Sequence, residues 1–282
     1  MTDSEKRLLE EIYRFIEIDT EMYGTAYLND RTPGSLLSNE QIGGLERADS
    51  GVSNPEQKQK IENKRLIRPS ESNTDRPEPI QTTGTADASR TLLDACKTLE
   101  ELQTLCRNTS ELKTDLQNTR LVFGCGNPNA DLMLIGEAPG DQEDIEGEPF
   151  VGAAGQLLTK ILTAINFNRE DVYIANILKH RPPGNRTPDP EERNRSLPYL
   201  LRQIDLIQPK LILCLGKVSG NTLLANEMSL KEMRGSYYPF RGAVLTVTYH
   251  PAALLRNPQW KRPVWEDVQK LRKRYNELGC KP

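Results

Sequence analysis

Four short apolar runs, each bounded by turn residues, frame this chain. Residues 132–135 (LMLI), 172–178 (VYIANIL), 210–216 (KLILCLG) and 243–248 (AVLTVT) are long enough for buried strands and too short for helices. Between and after them apolar residues recur at helical spacing. Residues 152–165 place Leu157, Leu158, Ile161, Leu162 and Ile165 on one face, and further helices are predicted over 190–207, 216–226 and 264–278. The same spacing through Leu92, Leu93, Ala95, Cys96, Leu99, Leu102 and Leu105 predicts one helix over 91–106. Residues 119–123 read as a strand or extended segment leading into the turn GCGNPNAD. Strands alternating with helices predict an α/β domain with a parallel or mixed sheet sandwiched by helices.

Upstream the pattern changes. Leu8, Leu9, Ile12, Phe15 and Ile16 predict an N-terminal amphipathic helix within residues 1–24. Residues 25–88 lose apolar periodicity to Pro, Gly, Ser, Thr, Asn and Gln. They read as a disordered linker, because such a stretch buries too little surface to offset its ordering entropy. The globular domain is expected over 89–282. Of 37 Lys+Arg and 40 Asp+Glu, residues 1–88 hold 11 and 17, leaving 26 and 23 for the remainder. The mildly basic C-terminal part permits a nucleic-acid partner, and the basic run at 58–68 is a further, weaker candidate. Five scattered cysteines do not resemble a secreted disulfide framework. With no long apolar span and a charged N-terminus, the expectation is a cytoplasmic protein without membrane contact.

The chemistry concentrates after the first strand. Residues 131–158 read DLMLIGEAPGDQEDIEGEPFVGAAGQLL, a strand, an acidic loop and a helix. The loop gathers Glu137, Asp141 and Glu143 around Pro139 and Gly140, with Phe150 alone among small and polar residues. The missing Gly-Lys-Ser/Thr and the acidity argue against a phosphate-binding loop, the reading a phosphate- or nucleotide-binding enzyme would need. Carboxylates at a strand end suit water activation or stabilisation of a cationic transition state. Asn176 is an amide inside an apolar strand, costly unless bonded. His250 directly follows the strand at 243–248. An acid, an amide and an imidazole are thus aimed from three strand ends at one place. The proline-rich loop KHRPPGNRTPDP offers Lys179, Arg181 and Arg186 to phosphates.

The strings GEAPGDQED, GEPFVGAAGQLL and HPAALLRNP resemble the uracil-DNA glycosylase superfamily, and within it the family-4 enzymes, over roughly residues 93–278. The resemblance implies a three-layer α/β/α sandwich with a central, mostly parallel four-stranded sheet. It implies a monomeric DNA repair enzyme that flips uracil out of single- or double-stranded DNA and hydrolyses its N-glycosidic bond. Glu137 would position the water and stabilise the cationic sugar, Asn176 would read the uracil edge, and His250 would donate to uracil O2. Ala138, Glu143 and Phe150 complete the base pocket, Phe150 stacking on uracil and Glu143 crowding its C5. Leu254, Leu255 and Arg256 suit the wedge that fills the gap in the stack. Family-4 enzymes carry a four-iron, four-sulfur cluster on four cysteines, and the matching positions here are Cys106, Thr109, His180 and Ser196. One thiolate is not enough, so the expectation is a protein without cofactor. The alternative function is a non-turnover or covalently trapping DNA-binding protein on the same fold.

Overall fold

A computed structural model describes residues 91–281. The expected helix at 1–24, the linker at 25–88 and the basic run at 58–68 lie outside the described residues. The elements run in the order α1 (Leu99–Asn108), β1 (Cys125–Gly126), β2 (Leu132–Gly136), α2 (Asp141–Glu146), α3 (Ala153–Ala164), β3 (Tyr173–Asn176), α4 (Pro190–Ile207), β4 (Leu211–Leu215), α5 (Lys217–Leu224), α6 (Leu230–Met233), β5 (Tyr238–Phe240), β6 (Ala243–Thr248), α7 (Pro251–Arg256) and α8 (Lys261–Glu277).

The four predicted apolar runs become β2, β3, β4 and β6, adjacent and parallel in the order β3-β2-β4-β6. The sheet has six strands rather than four. Short β1 and β5 add antiparallel edges on β3 and β6. Neither had a readable pattern, since β1 is two residues inside a glycine turn and β5 carries Pro239, which an edge strand tolerates. From β2 the chain crosses to β3 on one side, and β4 lies on the other. β2 is therefore the switch point where ligands of such sheets sit.

Every residue of β2 and β4 is buried, as expected for parallel strands covered on both faces. Alternate side chains divide between two layers. Met133, Ile135, Ile212 and Cys214 meet Leu200, Ile204 and Ile207 of α4. Leu134 and Leu213 face Leu158, Ile161 and Leu162 of α3 and Val264, Val268 and Leu271 of α8.

The helix expected over 91–106 is divided. Residues 91–95 are helical, the chain breaks, and Thr98 starts α1 with a capping box: Glu101 N donates to Thr98 Oγ1 at 3.2 Å, and Thr98 N donates back to Glu101 Oε2 at 3.3 Å. Thr-x-x-Glu is the sequence signature of such a start. α1 docks on α4 through Leu102, Cys106 and Tyr199 with Leu112 and Phe123. The segment 119–123 pairs with no strand, although Val122 N donates to Lys179 O at 2.8 Å.

At the C-terminal end of β6, Asp267 of α8 ties down the segment that leaves the strand. Its Oδ2 accepts from Thr248 Oγ1 at 2.6 Å and from Arg234 Nε at 2.8 Å. The Arg234 guanidinium lies 4.6 Å from the Tyr249 ring, and Tyr249 stacks on Trp260 at 4.8 Å. Both partners of the ion pair are largely buried, so removing one strands the other's charge. Asp267→Ala is expected to cost about 3 kcal/mol in chemical denaturation. A loss under about 1 kcal/mol, the level of an exposed pair, would contradict this account.

Candidate active site

Parallel pairing in register brings the strand ends together. Gly136 at the end of β2 is the partner of Asn176 at the end of β3. Beyond the strands the alignment persists for two residues, Ile177 N donating to Gly136 O and Leu178 N to Glu137 O, each at 3.1 Å. On the other side Gly216 N donates to Thr248 O at 2.8 Å, so His250 emerges at the same edge. Three of the predicted residues, Glu137, Asn176 and His250, are thus presented from one end of the sheet.

Glycine at 136 is required by what meets in front of it. A Cβ there would overlap Asn176 Oδ1 and stand 2.6 Å from Cζ of Phe150. Phe150 is 5 % exposed, and its ring centroid lies 5.4 Å from that of His250, tilted by 31°. Gly216 (φ +102°) serves the histidine similarly, since a Cβ there would press on His250 Cβ at 3.2 Å. Asn176 is 2 % exposed, and its Oδ1 has no hydrogen-bond partner among the described residues. Such an acceptor is costly unless a ligand donor meets it.

His250 is the N-cap of α7. Its Nδ1 accepts from Ala252 N at 3.2 Å, which leaves the ring proton on Nε2. Burial, and then the charge of Arg256, push its pKa down to about 4, against an opposing pull from Glu143. The imidazole is therefore neutral through the physiological range. Burial raises the Glu137 carboxyl above the usual carboxylate range, while the charge of Arg193 and a hydrogen bond from Thr187 oppose it. Arg193 and Thr187 escaped the sequence reading, because nothing in the first turn of α4 or in the loop before it marks which strand end it will face.

Glu143 has a structural job that its sequence context concealed. Its Oε1 accepts from Val151 N and Gly152 N at 3.0 Å each, and its Oε2 from Gly140 N at 3.1 Å. The carboxylate closes the acidic loop upon itself. Ala138 is half-buried against the core.

The residues expected to meet DNA differ in how far the fold leaves them exposed. Leu254 is 1 % exposed and belongs to the core, because α7 turns it inward; Leu255 is half-buried and Arg256 exposed. Arg186 is held bidentately by Glu192 at 2.8 and 2.9 Å. Arg181 pairs with Asp141 and donates to Asn185 Oδ1 at 2.7 Å. These acids lie near the cations only after folding. Lys179, expected to reach phosphates, is wholly buried and donates to Phe123 O at 3.3 Å, Asn176 O at 3.0 Å and Gln203 Oε1.

The four positions aligned with the family cluster have these surroundings. Cys106 supplies one thiol. Thr109 Oγ1 donates to Leu105 O at 2.8 Å, Ser196 Oγ donates to Ile177 O at 2.7 Å, and His180 Nδ1 bonds Thr119 Oγ1 at 3.0 Å. Among the described residues no three His, Cys, Asp or Glu side chains are placed to hold a metal ion.

A histidine pKa near 4 has a measurable sign. The unfolded chain, with histidine near 6.5, takes up the proton first, so this group's contribution is full above about pH 6.5 and is lost as pH falls toward 4. Imidazole nitrogen NMR is expected to find His250 neutral and protonated on Nε2 at pH 6. A midpoint near 6.5 would show that the ring is not desolvated.

Comparison with known proteins identifies relatives of this chain. The family model of the uracil DNA glycosylase superfamily matches residues 123–271. A type-4 uracil-DNA glycosylase of Archaeoglobus fulgidus is 41% identical over 169 residues, which is 56% of this chain and 85% of the relative. Those of Saccharolobus solfataricus and Thermotoga maritima are 45% and 41% identical over 171 and 161 residues, covering 57% and 56% of this chain and 77% and 84% of the relatives. The chain thus belongs to the uracil-DNA glycosylase superfamily.

Proposed function

We propose that this protein excises uracil from DNA by hydrolysing the N-glycosidic bond, with the chemistry in residues 89–282. One observation carries the assignment of the pocket: the buried, unpartnered Oδ1 of Asn176 beside the Phe150 and His250 rings. A uracil flipped into that space offers an imide N3–H to the free acceptor. Cytosine has no hydrogen there and would leave the acceptor unmatched, so the amide selects as well as binds.

Each remaining residue has a task suited to its state. Phe150 gives the base a flat apolar face. His250, with Nδ1 occupied, directs its Nε2–H at uracil O2, where negative charge gathers as the base departs; a neutral donor fixed before the reaction needs no reorganisation. The Glu137 carboxylate orients water and faces the positive charge on the sugar. Glu143, immobilised by three loop amides, is a wall that cannot swing away from a 5-methyl group, which disfavours thymine. Ala138 lines the loop, and Leu255 with Arg256 meets the gap left by the flipped base. The proposed enzyme acts as a monomer on single- or double-stranded DNA. No described helix is long and apolar enough to cross a membrane, in keeping with a cytoplasmic repair enzyme.

Incubation with uracil-containing oligonucleotides, then alkali cleavage and a search for protein–DNA adducts, tests the reading. His250→Ala is expected to slow single-turnover excision by about 10²–10³-fold, the usual cost of a lost oxyanion-type donor. Asn176→Ala is expected to lose uracil selectivity as well as rate. Wild-type rates in both variants would remove these residues from the site, and a stable adduct would favour covalent trapping over turnover. The acid limb of the rate profile should follow Glu137, whose pKa is raised, rather than His250.

The enzyme works without an iron-sulfur cluster. Support comes from the single thiol among the four matching positions and from hydroxyls already bonded to main-chain carbonyls. Protein purified without oxygen is expected to be colourless. A brown preparation with about four irons per chain would overturn this.

A further inference from the structure

Phe150 has a backbone that its residue type resists. Its φ is +56°, in the left-handed region where a bulky side chain is strained and persists only if its surroundings enforce it. The surroundings do so with two side chains of opposite charge. Arg169, in the 3-10 turn Arg169–Asp171 before β3, donates from one terminal nitrogen to Phe150 O at 3.0 Å and from the other to Pro149 O at 2.9 Å. The same guanidinium reaches Thr159 Oγ1 at 3.4 Å and Cys125 Sγ at 3.7 Å. From the opposite side Glu143 accepts the next two amides, Val151 N and Gly152 N. Acceptors before the bend are thus held by a cation and donors after it by an anion. Gly155 of α3 completes the fit, because a Cβ there would overlap the Phe150 carbonyl.

We propose that Arg169 is a positioning residue for uracil excision, acting through Phe150 by clamping the two carbonyls that fix the left-handed turn beneath the aromatic ring. This rests on the reading of Phe150 as the base-stacking residue. Only a planar, forked donor holds both carbonyls at once; a lysine ammonium offers no such fork. Without the fork, the backbone at 150 relaxes toward negative φ and the ring leaves the wall it forms with Asn176 and His250.

The test combines Arg169→Met, Arg169→Lys, Phe150→Ala and the double variant Phe150→Ala/Arg169→Met in the full chain. Readouts are single-turnover excision, inhibition by free uracil, thermal midpoint, and amide hydrogen exchange over residues 149–152. Arg169→Met is expected to reduce excision roughly 10- to 100-fold, the scale of a misplaced reacting geometry, to weaken inhibition by uracil, and to speed exchange at Val151 and Gly152. Arg169→Lys is expected to lie between it and wild type. In the Phe150→Ala background the same substitution should change excision by no more than about twofold, because a residue acting only through Phe150 has nothing left to position. Wild-type excision by Arg169→Met, or an equal loss with and without Phe150, would overturn the proposal. Should Arg169→Met not fold, the lysine variant decides: wild-type exchange and activity there refute the clamp. If wild-type protein itself excises no uracil, the functional reading fails separately, and unchanged exchange in Arg169→Met still refutes the clamp.

Discussion

The volume in front of β2 is shared by an amide, an aromatic ring and an imidazole, and it exists only because the strand ends without a Cβ. Gly136 is paired in register with Asn176, so the amide's place is set by the sheet itself, one strand spacing away. The ring of Phe150 then enters the space that any other residue at 136 would fill. Register delivers the groups, and the missing side chain lets them meet. Parallel strands buried on both faces make that register rigid, since a slip by one residue would turn every core side chain to the wrong layer.

The site's electrostatics follow from its depth. Burial keeps His250 neutral, and a helix N-terminus occupies its Nδ1, so tautomer and direction are both settled by the fold. The same desolvation works against the Glu137 anion, and a nearby arginine and a threonine hydroxyl offset part of the cost. One environment thus holds the imidazole uncharged and raises the carboxyl's pKa, both through the same loss of water.

Much of this was legible in the sequence. The four buried strands were continuous apolar runs, and the helices that cover them kept a 3.6-residue period, so the layered core could be read directly. Glu137, Asn176 and His250 could be placed together because each follows or ends such a run, and parallel strands share one end. What escaped was set by contacts that form only on folding. Arg181 and Arg186 look like free cations until Asp141 and Glu192 arrive beside them. Leu254 looks available to DNA until the turn of α7 points it inward. Lys179 sits in a loop of charged and proline residues, yet its stem follows β3 into the core and its ammonium finds three oxygens. The edge strands β1 and β5 are too short for any periodicity to register.

The stack of Trp260 on Tyr249 gives the molecule an optical property. The chain has two tryptophans, Trp260 and Trp265, and both lie just beyond His250, one against the ring that adjoins the histidine and the other buried in α8. Intrinsic emission therefore originates almost wholly in the segment that leaves the active site. A change in the packing of that segment alters the light the whole protein emits, so the region beside His250 carries its own unlabelled reporter.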